Sequence, residues 1–204
     1  MTIRLFRYPM VPHTHRYSPP KYRRYQSYKK WLRDEFHFTC IFCGKRESFC
    51  GHRGENAFSV EHLRPRSQFK NLACDYGNLI YSCLDCNSNK GDVWPIPDPF
   101  VVAYGSLMSV REDGTIIGHT SVGCNLILLL KLDDPELTQW RKRHLKMAKL
   151  IAANPTCAWS ATILAFFSYP SKLPSLRGKR TKVSDGSDGC YFEQRKQGVL
   201  PDRY

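Results

Sequence analysis

Cys40-Ile-Phe-Cys43-Gly44 and Cys83-Leu-Asp-Cys86-Asn87-Ser-Asn-Lys90-Gly91 are two C-x-x-C turns with 39 residues between Cys43 and Cys83. Two such turns offer four thiolates, the donor set that Zn²⁺ prefers in a closed tetrahedral site. A plain zinc ribbon needs far fewer intervening residues, so a whole substructure is inserted between the pairs. Cys40, Cys43, Cys83 and Cys86 are therefore expected to hold a structural zinc, pinning the segment that starts at Asn87 to whatever the insert contains.

The insert has its own pattern. Ala57–His62 is rich in strand formers and ends on Glu61-His62, and Pro65 then stops regular structure. A loop over residues 64–77 returns to a second strand, Leu79–Ser82, and the run from Cys83 to Gly91 suits a short helix closed by glycine. On that helix Cys83, Asn87 and Lys90 share a face. Phosphodiester hydrolysis needs an activated water and neutralisation of the phosphate. A neutral imidazole, His62, suits the first task. Glu61 and Asn87 are hard oxygen donors of the kind that hold Mg²⁺ or Mn²⁺ with several waters retained. Asn78, at the start of the returning strand, is placed to hydrogen-bond across the loop and fix the backbone beside His62. Arg64 and Arg66 flank that loop and, with Lys90, are candidates for contact with nucleic-acid phosphates.

Ser59-Val-Glu-His-Leu-Arg-Pro-Arg-Ser67 followed by Asp75-Tyr-Gly-Asn-Leu-Ile-Tyr-Ser-Cys-Leu-Asp-Cys-Asn-Ser-Asn-Lys-Gly91 resembles an HNH endonuclease of the ββα-metal type. The resemblance covers about residues 36–98. It implies Glu61 as a metal ligand, His62 as general base, Asn78 as the loop-orienting residue and Asn87 as the second ligand of a catalytic divalent ion. Glu61 stands where the family often has Asp, and Asn87 is a common variant of the third-position His. A looser similarity, in Gly114-Thr-Ile-Ile-Gly118 and the run from Leu132 to Arg141, is to HNH proteins of Septu-type and retron-associated anti-phage systems. It implies a role in bacterial defence and a partner ATPase. DNA is the expected substrate. RNA is the alternative with the same chemistry, and a non-catalytic zinc module that binds nucleic acid or a partner protein is a third reading.

Charge supports a polyanionic partner. The chain of 204 residues carries a formal +13. Residues 1–39 hold nine Lys/Arg against Asp34 and Glu35, whereas residues 40–99 hold seven of each sign. The reaction centre is thus electrically balanced and flanked by basic segments. His13, His15 and His37 sit among the basic and aromatic residues of the first segment, where exposure or phosphate contact is expected. The start, MTIRLFRYPM, has no apolar signal region, and the longest apolar stretch, Leu126–Leu130, is far too short for a bilayer. Nine cysteines, an odd number, with two C-x-x-C pairs fit a reducing cytoplasm and metal binding, with no membrane association. Cys50, Cys74, Cys124, Cys157 and Cys190 read as ordinary thiols, and His52 as a surface residue.

The expected architecture is α+β: a ββα-metal core with a four-cysteine zinc site, a basic N-terminal arm and a mainly helical C-terminal lobe. The divisions are residues 1–27 for the extended arm, 28–98 for the nuclease core, 99–170 for a hairpin plus helical lobe and 171–204 for an irregular basic tail. Tyr28, Trp31, Leu32 and Phe36 have helical spacing just before the first cysteine pair. Residues 100–130 hold short apolar runs broken by Asp113-Gly114 and Gly118, which suggests a small β-hairpin. Asp134-Pro135-Glu136 starts a helix running to about Ala153, with Asp134 as N-cap, and a second helix is expected near Thr156–Ser168.

Overall fold

The computed structural model describes residues 5–154, 163–179 and 181–201. Its centre is a two-stranded antiparallel sheet, β1 (Phe58–His62) and β2 (Leu79–Cys83), paired Phe58 to Cys83 and His62 to Leu79. All five residues of β2 are buried, because helices and loops cover both of its faces. On the core side Phe58 stacks on Tyr81 with ring centroids 5.1 Å apart, a diagonal cross-strand pair.

Helix α1 (Lys29–Glu35) follows a 3₁₀ turn at Tyr25–Tyr28, where the spacing of Tyr28, Trp31 and Leu32 predicts it. It buries Trp31 and Leu32 completely. Arg33, Asp34 and Glu35 are also buried, and each is paired. Arg33 donates from Nε and Nη2 to the two carboxylate oxygens of Glu47, at 2.9 and 2.8 Å. Tyr81 donates its hydroxyl to the same Glu47 at 2.6 Å, so α1, β2 and the loop before β1 share one satisfied network.

The first cysteine turn closes with Gly44 N donating to Cys40 O at 3.0 Å, and Gly44 adopts φ +71°. A side chain there would be strained and would press on Phe6, 3.2 Å away. Helix α2 (Leu84–Lys90) begins directly after Cys83 and ends at Gly91, at φ +50°. Strand, strand and helix thus follow one another as the alternation and the turn residues predict.

The basic arm, residues 5–24, has no regular secondary structure, but it is not free. Leu5, Phe6 and Tyr17 are buried, and backbone bonds tie His13 to Pro99 and Ser18 to Asp185. His15 is exposed, as expected, and His13 half-buried, but both turn a ring nitrogen to a buried carboxylate. His13 Nε2 lies 2.8 Å and His15 Nδ1 3.5 Å from Glu35 Oε1, and Arg16 N donates to the same oxygen at 2.9 Å. Neighbouring Asp34 accepts from Tyr17 Oη and from Tyr191 N. Two buried carboxylates need such donors; the arm and the tail bring these, and Tyr76 Oη adds one to Glu35 Oε2 at 3.2 Å. His37 is exposed, as expected, and its ring also pairs with the Tyr191 hydroxyl.

Beyond the core come α3 (Tyr104–Leu107), the hairpin β3 (Met108–Val110) and β4 (Ile116–Gly118), α4 (Ser121–Leu129) and α5 (Pro135–Ala153). Asp134 caps α5 through Oδ1, which accepts from Glu136 N and Leu137 N at 2.9 and 3.0 Å. The apolar run ending at Leu130 is helical, not part of a hairpin: Thr120 caps it and Leu126 and Ile127 turn into the core. Of the helix expected at Thr156–Ser168, residues 156–162 and the thiol of Cys157 lie outside the described residues, and Ala165–Phe167 is a 3₁₀ turn. The tail contains α6 (Tyr191–Lys196), which its Gly- and Ser-rich sequence does not announce. Among the described residues no helix is long and apolar enough to cross a membrane.

Candidate active site and metal centre

The four sulfurs of Cys40, Cys43, Cys83 and Cys86 lie within 4.8 Å of one another, and all four residues are buried. Cys43 Sγ and Cys83 Sγ are 3.7 Å apart. A regular tetrahedron with Zn–S bonds of about 2.3 Å has sulfurs about 3.8 Å apart. The cluster therefore fits a zinc ion in donor type, number and spacing. Burial pushes the Cys40 thiol up, but hydrogen bonds from the other three draw it well down, while hydrogen bonds to Cys40 and Cys83 push Cys43 and Cys86 up.

Beside this centre α2 lies across one face of β1. Residues Ser59 and Glu61, two apart on the strand, point to that face. Asn87 and Lys90, three apart on the helix, meet them there. Asn87 Nδ2 donates to Ser59 Oγ at 2.6 Å, and Lys90 Nζ donates to Glu61 Oε1 at 2.8 Å. The sequence places Lys90 at a phosphate, but the structure buries it completely and commits its ammonium to Glu61. Burial raises the Glu61 carboxyl above its ordinary value, and the hydrogen bond and charge of Lys90 pull the other way. Among the described residues, the four cysteines are the one group of His, Cys, Asp or Glu positioned to hold a metal. Of the pair that the sequence assigns to a catalytic ion, Glu61 is thus engaged by Lys90 and Asn87 by Ser59, with Asn87 Oδ1 not used on Ser59.

His62, last residue of β1, is buried, with Nε2 3.0 Å from Ala73 O. A carbonyl only accepts, so Nε2 carries the proton and Nδ1 keeps its lone pair. Burial lowers the His62 pKa, and the nearby charges of Arg66 and Lys90 add to that, against the Ala73 hydrogen bond. The ring is thus neutral at neutral pH. Tyr25 packs edge-on against it, ring centroids 4.7 Å apart.

Asn78 is buried and clasps the loop after β1 at three points. Oδ1 accepts from Arg64 N at 2.8 Å, while Nδ2 donates to Arg64 O at 3.0 Å and Leu72 O at 3.4 Å. Its backbone carbonyl accepts from Leu63 N at 2.9 Å. The loop that presents Ala73 O to His62 is therefore held from both ends.

Arg64 and Arg66 are exposed. Arg64 lies over the Trp94 ring and Arg66 over Tyr25, at 5.5 and 5.3 Å from the ring centroids. Arg66, Ser67, Lys70, Ala73 and Asp92 line a cleft of about 470 Å³ that opens beside the carbonyl partner of His62. Tyr25, Ser59, Lys70 and Ala73 carry no motif signal. Tyr25 and Ser59 are common surface residue types, and a backbone carbonyl is invisible in residue identity.

No curated protein matches the chain. A segment that opens on the first cysteine of the metal cluster and runs past the end of α2, residues 40–93, matches the family model described as HNH endonuclease.

Proposed function

We propose that the chain is a metal-dependent endonuclease hydrolysing phosphodiester bonds, with DNA as its substrate. The observation that carries this reading is His62: a buried, neutral imidazole whose tautomer is set by Ala73 O, at the end of a strand whose preceding residue is a carboxylate. Nδ1 is the base that takes a proton from the attacking water. Asn78 acts through the loop, keeping Ala73 and Arg64 in place. Arg64, Arg66 and Lys70 hold the substrate backbone along the cleft. Mg²⁺ or Mn²⁺ bound by Glu61 and Asn87 would neutralise the phosphate and stabilise the leaving oxygen. Zinc on the four cysteines has a mechanical role, since Asn87 is covalently next to the ligand Cys86.

The resemblance of residues 114–118 and 132–141 to nucleases of Septu-type and retron-associated systems supports a place as effector in bacterial anti-phage defence, in the cytoplasm beside an ATPase. The test is direct. Purified protein, alone and with such an ATPase, is incubated with plasmid DNA and with total RNA in Mg²⁺ or Mn²⁺. Cleavage of DNA that His62→Ala abolishes supports the reading. Cleavage of RNA alone moves the substrate to RNA. No cleavage of either, or cleavage by His62→Ala at the parent rate, refutes it.

A further inference from the structure

Arg141 lies on α5 and is fully buried, yet the groups that receive its hydrogen bonds are all neutral. Nε donates to Gly114 O at 2.7 Å, and Nη2 donates to Leu132 O at 2.7 Å and to Thr138 Oγ1 at 3.2 Å. Among the described residues Nη1 is the one buried side-chain nitrogen or oxygen with no hydrogen-bond partner. A buried cation is costly to keep without an opposite charge, and an orphaned buried donor adds to that cost.

Opposite charge is nearby: the exposed Asp133 and the buried Cys43 and Cys86 all act on the guanidinium. A cleft of about 440 Å³ has Cys43, Cys83 and Cys86 on one side and Leu137 and Trp140 of α5 on the other. Arg141 is one turn on from Leu137 and adjacent to Trp140. Tyr8 bridges the same neighbourhood, its hydroxyl donating to Phe42 O at 2.6 Å inside the first cysteine turn. The charges of Cys43, Cys86 and Arg141 all act on that phenol, whose pKa burial chiefly raises. Four thiolates around Zn²⁺ carry a formal charge of about −2. Lys45, Lys131 and Arg143 line the cleft itself, and Lys45 is already paired with Asp85 at 2.7 Å. Arg141 lies behind that lining, fully buried and with a donor unused.

We propose that Arg141 is the charge-compensating partner of the metal-loaded cysteine cluster, with Nη1 donating to one of its thiolates. The same guanidinium holds the β3–β4 turn through Gly114 and the start of α5 through Leu132. Metal loading and docking of the C-terminal elements on the core are then one event. This positioning role stands whether or not the chain is a nuclease.

Zinc affinity is measured by chelator competition for the parent, Arg141→Gln, Arg141→Lys and Thr138→Ala. Loss of an outer partner of this kind weakens a metal site about 10–100-fold, which is the effect expected for Arg141→Gln. Arg141→Lys, which keeps the charge, loses less, and Thr138→Ala stays at the parent value. In Co²⁺-loaded protein the sulfur-to-metal charge-transfer band moves in Arg141→Gln and not in Thr138→Ala. Zinc affinities of Gln and Lys variants within about twofold of the parent, with an unmoved band, overturn the proposal and leave Arg141 a backbone staple. Should Arg141→Gln not fold, unmodified protein loaded with NMR-active cadmium decides. Scalar coupling from the metal to an Arg141 Nη1 proton supports the bond. A guanidinium resonance without coupling and unmoved by loading overturns it.

Discussion

Replacing Lys90 with Met keeps the unbranched stem and removes the ammonium. Lys90 is completely buried and Glu61 nearly so, with 2.8 Å between the charged atoms. At an effective dielectric of about 20 that separation corresponds to ~6 kcal/mol of attraction. Part of it offsets the cost of drying both ions, so what Lys90→Met exposes is the penalty of a buried carboxylate left alone, about 3–5 kcal/mol. Met fills most of the vacated volume, so the cavity contribution is small. The signature is in the pH dependence. Burial already raises the Glu61 pKa, and without Lys90 it rises further. A carboxyl with a raised folded-state pKa contributes stability below its unfolded value and loses it as pH climbs through the folded one. The Lys90→Met penalty should therefore be full at about pH 8 and much smaller at about pH 5, where Glu61 takes up a proton. Glu61→Gln in the same chain should recover at least half of it at about pH 8, since no charge is then stranded. Urea unfolding of parent, both single variants and the double variant at the two pH values measures all of this. A penalty that is equal at both pH values and not relieved by Glu61→Gln refutes the reasoning.

Cys83→Ser removes one of four clustered thiols, so bound zinc per chain should fall to near zero and the melting temperature by ~10 °C or more. Metal analysis and calorimetry read both, and a variant that keeps its zinc contradicts the site. Asn78→Ala loses three side-chain hydrogen bonds, at a cost of about 2–3 kcal/mol. Cleavage should drop more than stability does, because the Ala73 carbonyl is freed. A variant with parental activity argues against that route. Acid stability follows from the carboxylates and the imidazole under the arm. Asp34 is raised to about 6 by burial, so its contribution fades as pH rises from its ordinary 3.8. His37 is lowered to about 4 by desolvation of its ring, packed against Tyr191, and loses stability as pH falls from 6.5, an effect that solvent screening reduces because the residue is exposed. These two oppose each other between about pH 4 and 6. Glu35, held down to about 2 by donors from His13, His15 and Arg16 against burial, loses ~3 kcal/mol as pH falls from 4.5. Stability should be nearly level down to about pH 4.5 and collapse below it. A steady decline from neutral pH, in thermal melts across that range, contradicts the assignment.

The order strand, strand, helix between the cysteine pairs was legible because each signal there is local. The alternation of β1, Pro65 after it, Gly91 at the end of α2 and the Asp134 cap of α5 act within a few residues of themselves. The four ligands were legible as well, since a C-x-x-C turn brings its two sulfurs together by its own geometry. The arm was misread for the opposite reason. His13 and His15 look like surface cations until Glu35, some twenty residues on, is known to be buried beneath them. The helix at Ser121–Leu129 was hidden because an apolar run has no period to read.

Residue types and spacing alone determined that this chain can build a four-thiolate centre and set an acid, a histidine and two asparagines around it. The tertiary structure decided what each of those groups faces. It set the His62 tautomer through a backbone carbonyl, paired Glu61 with a lysine expected at a phosphate, and left Arg141 buried with an unused donor. Those outcomes depend on burial and on partners distant in the chain. Desolvation makes an unpaired polar group costly, and only the packed fold determines which groups are dried and what lies opposite them.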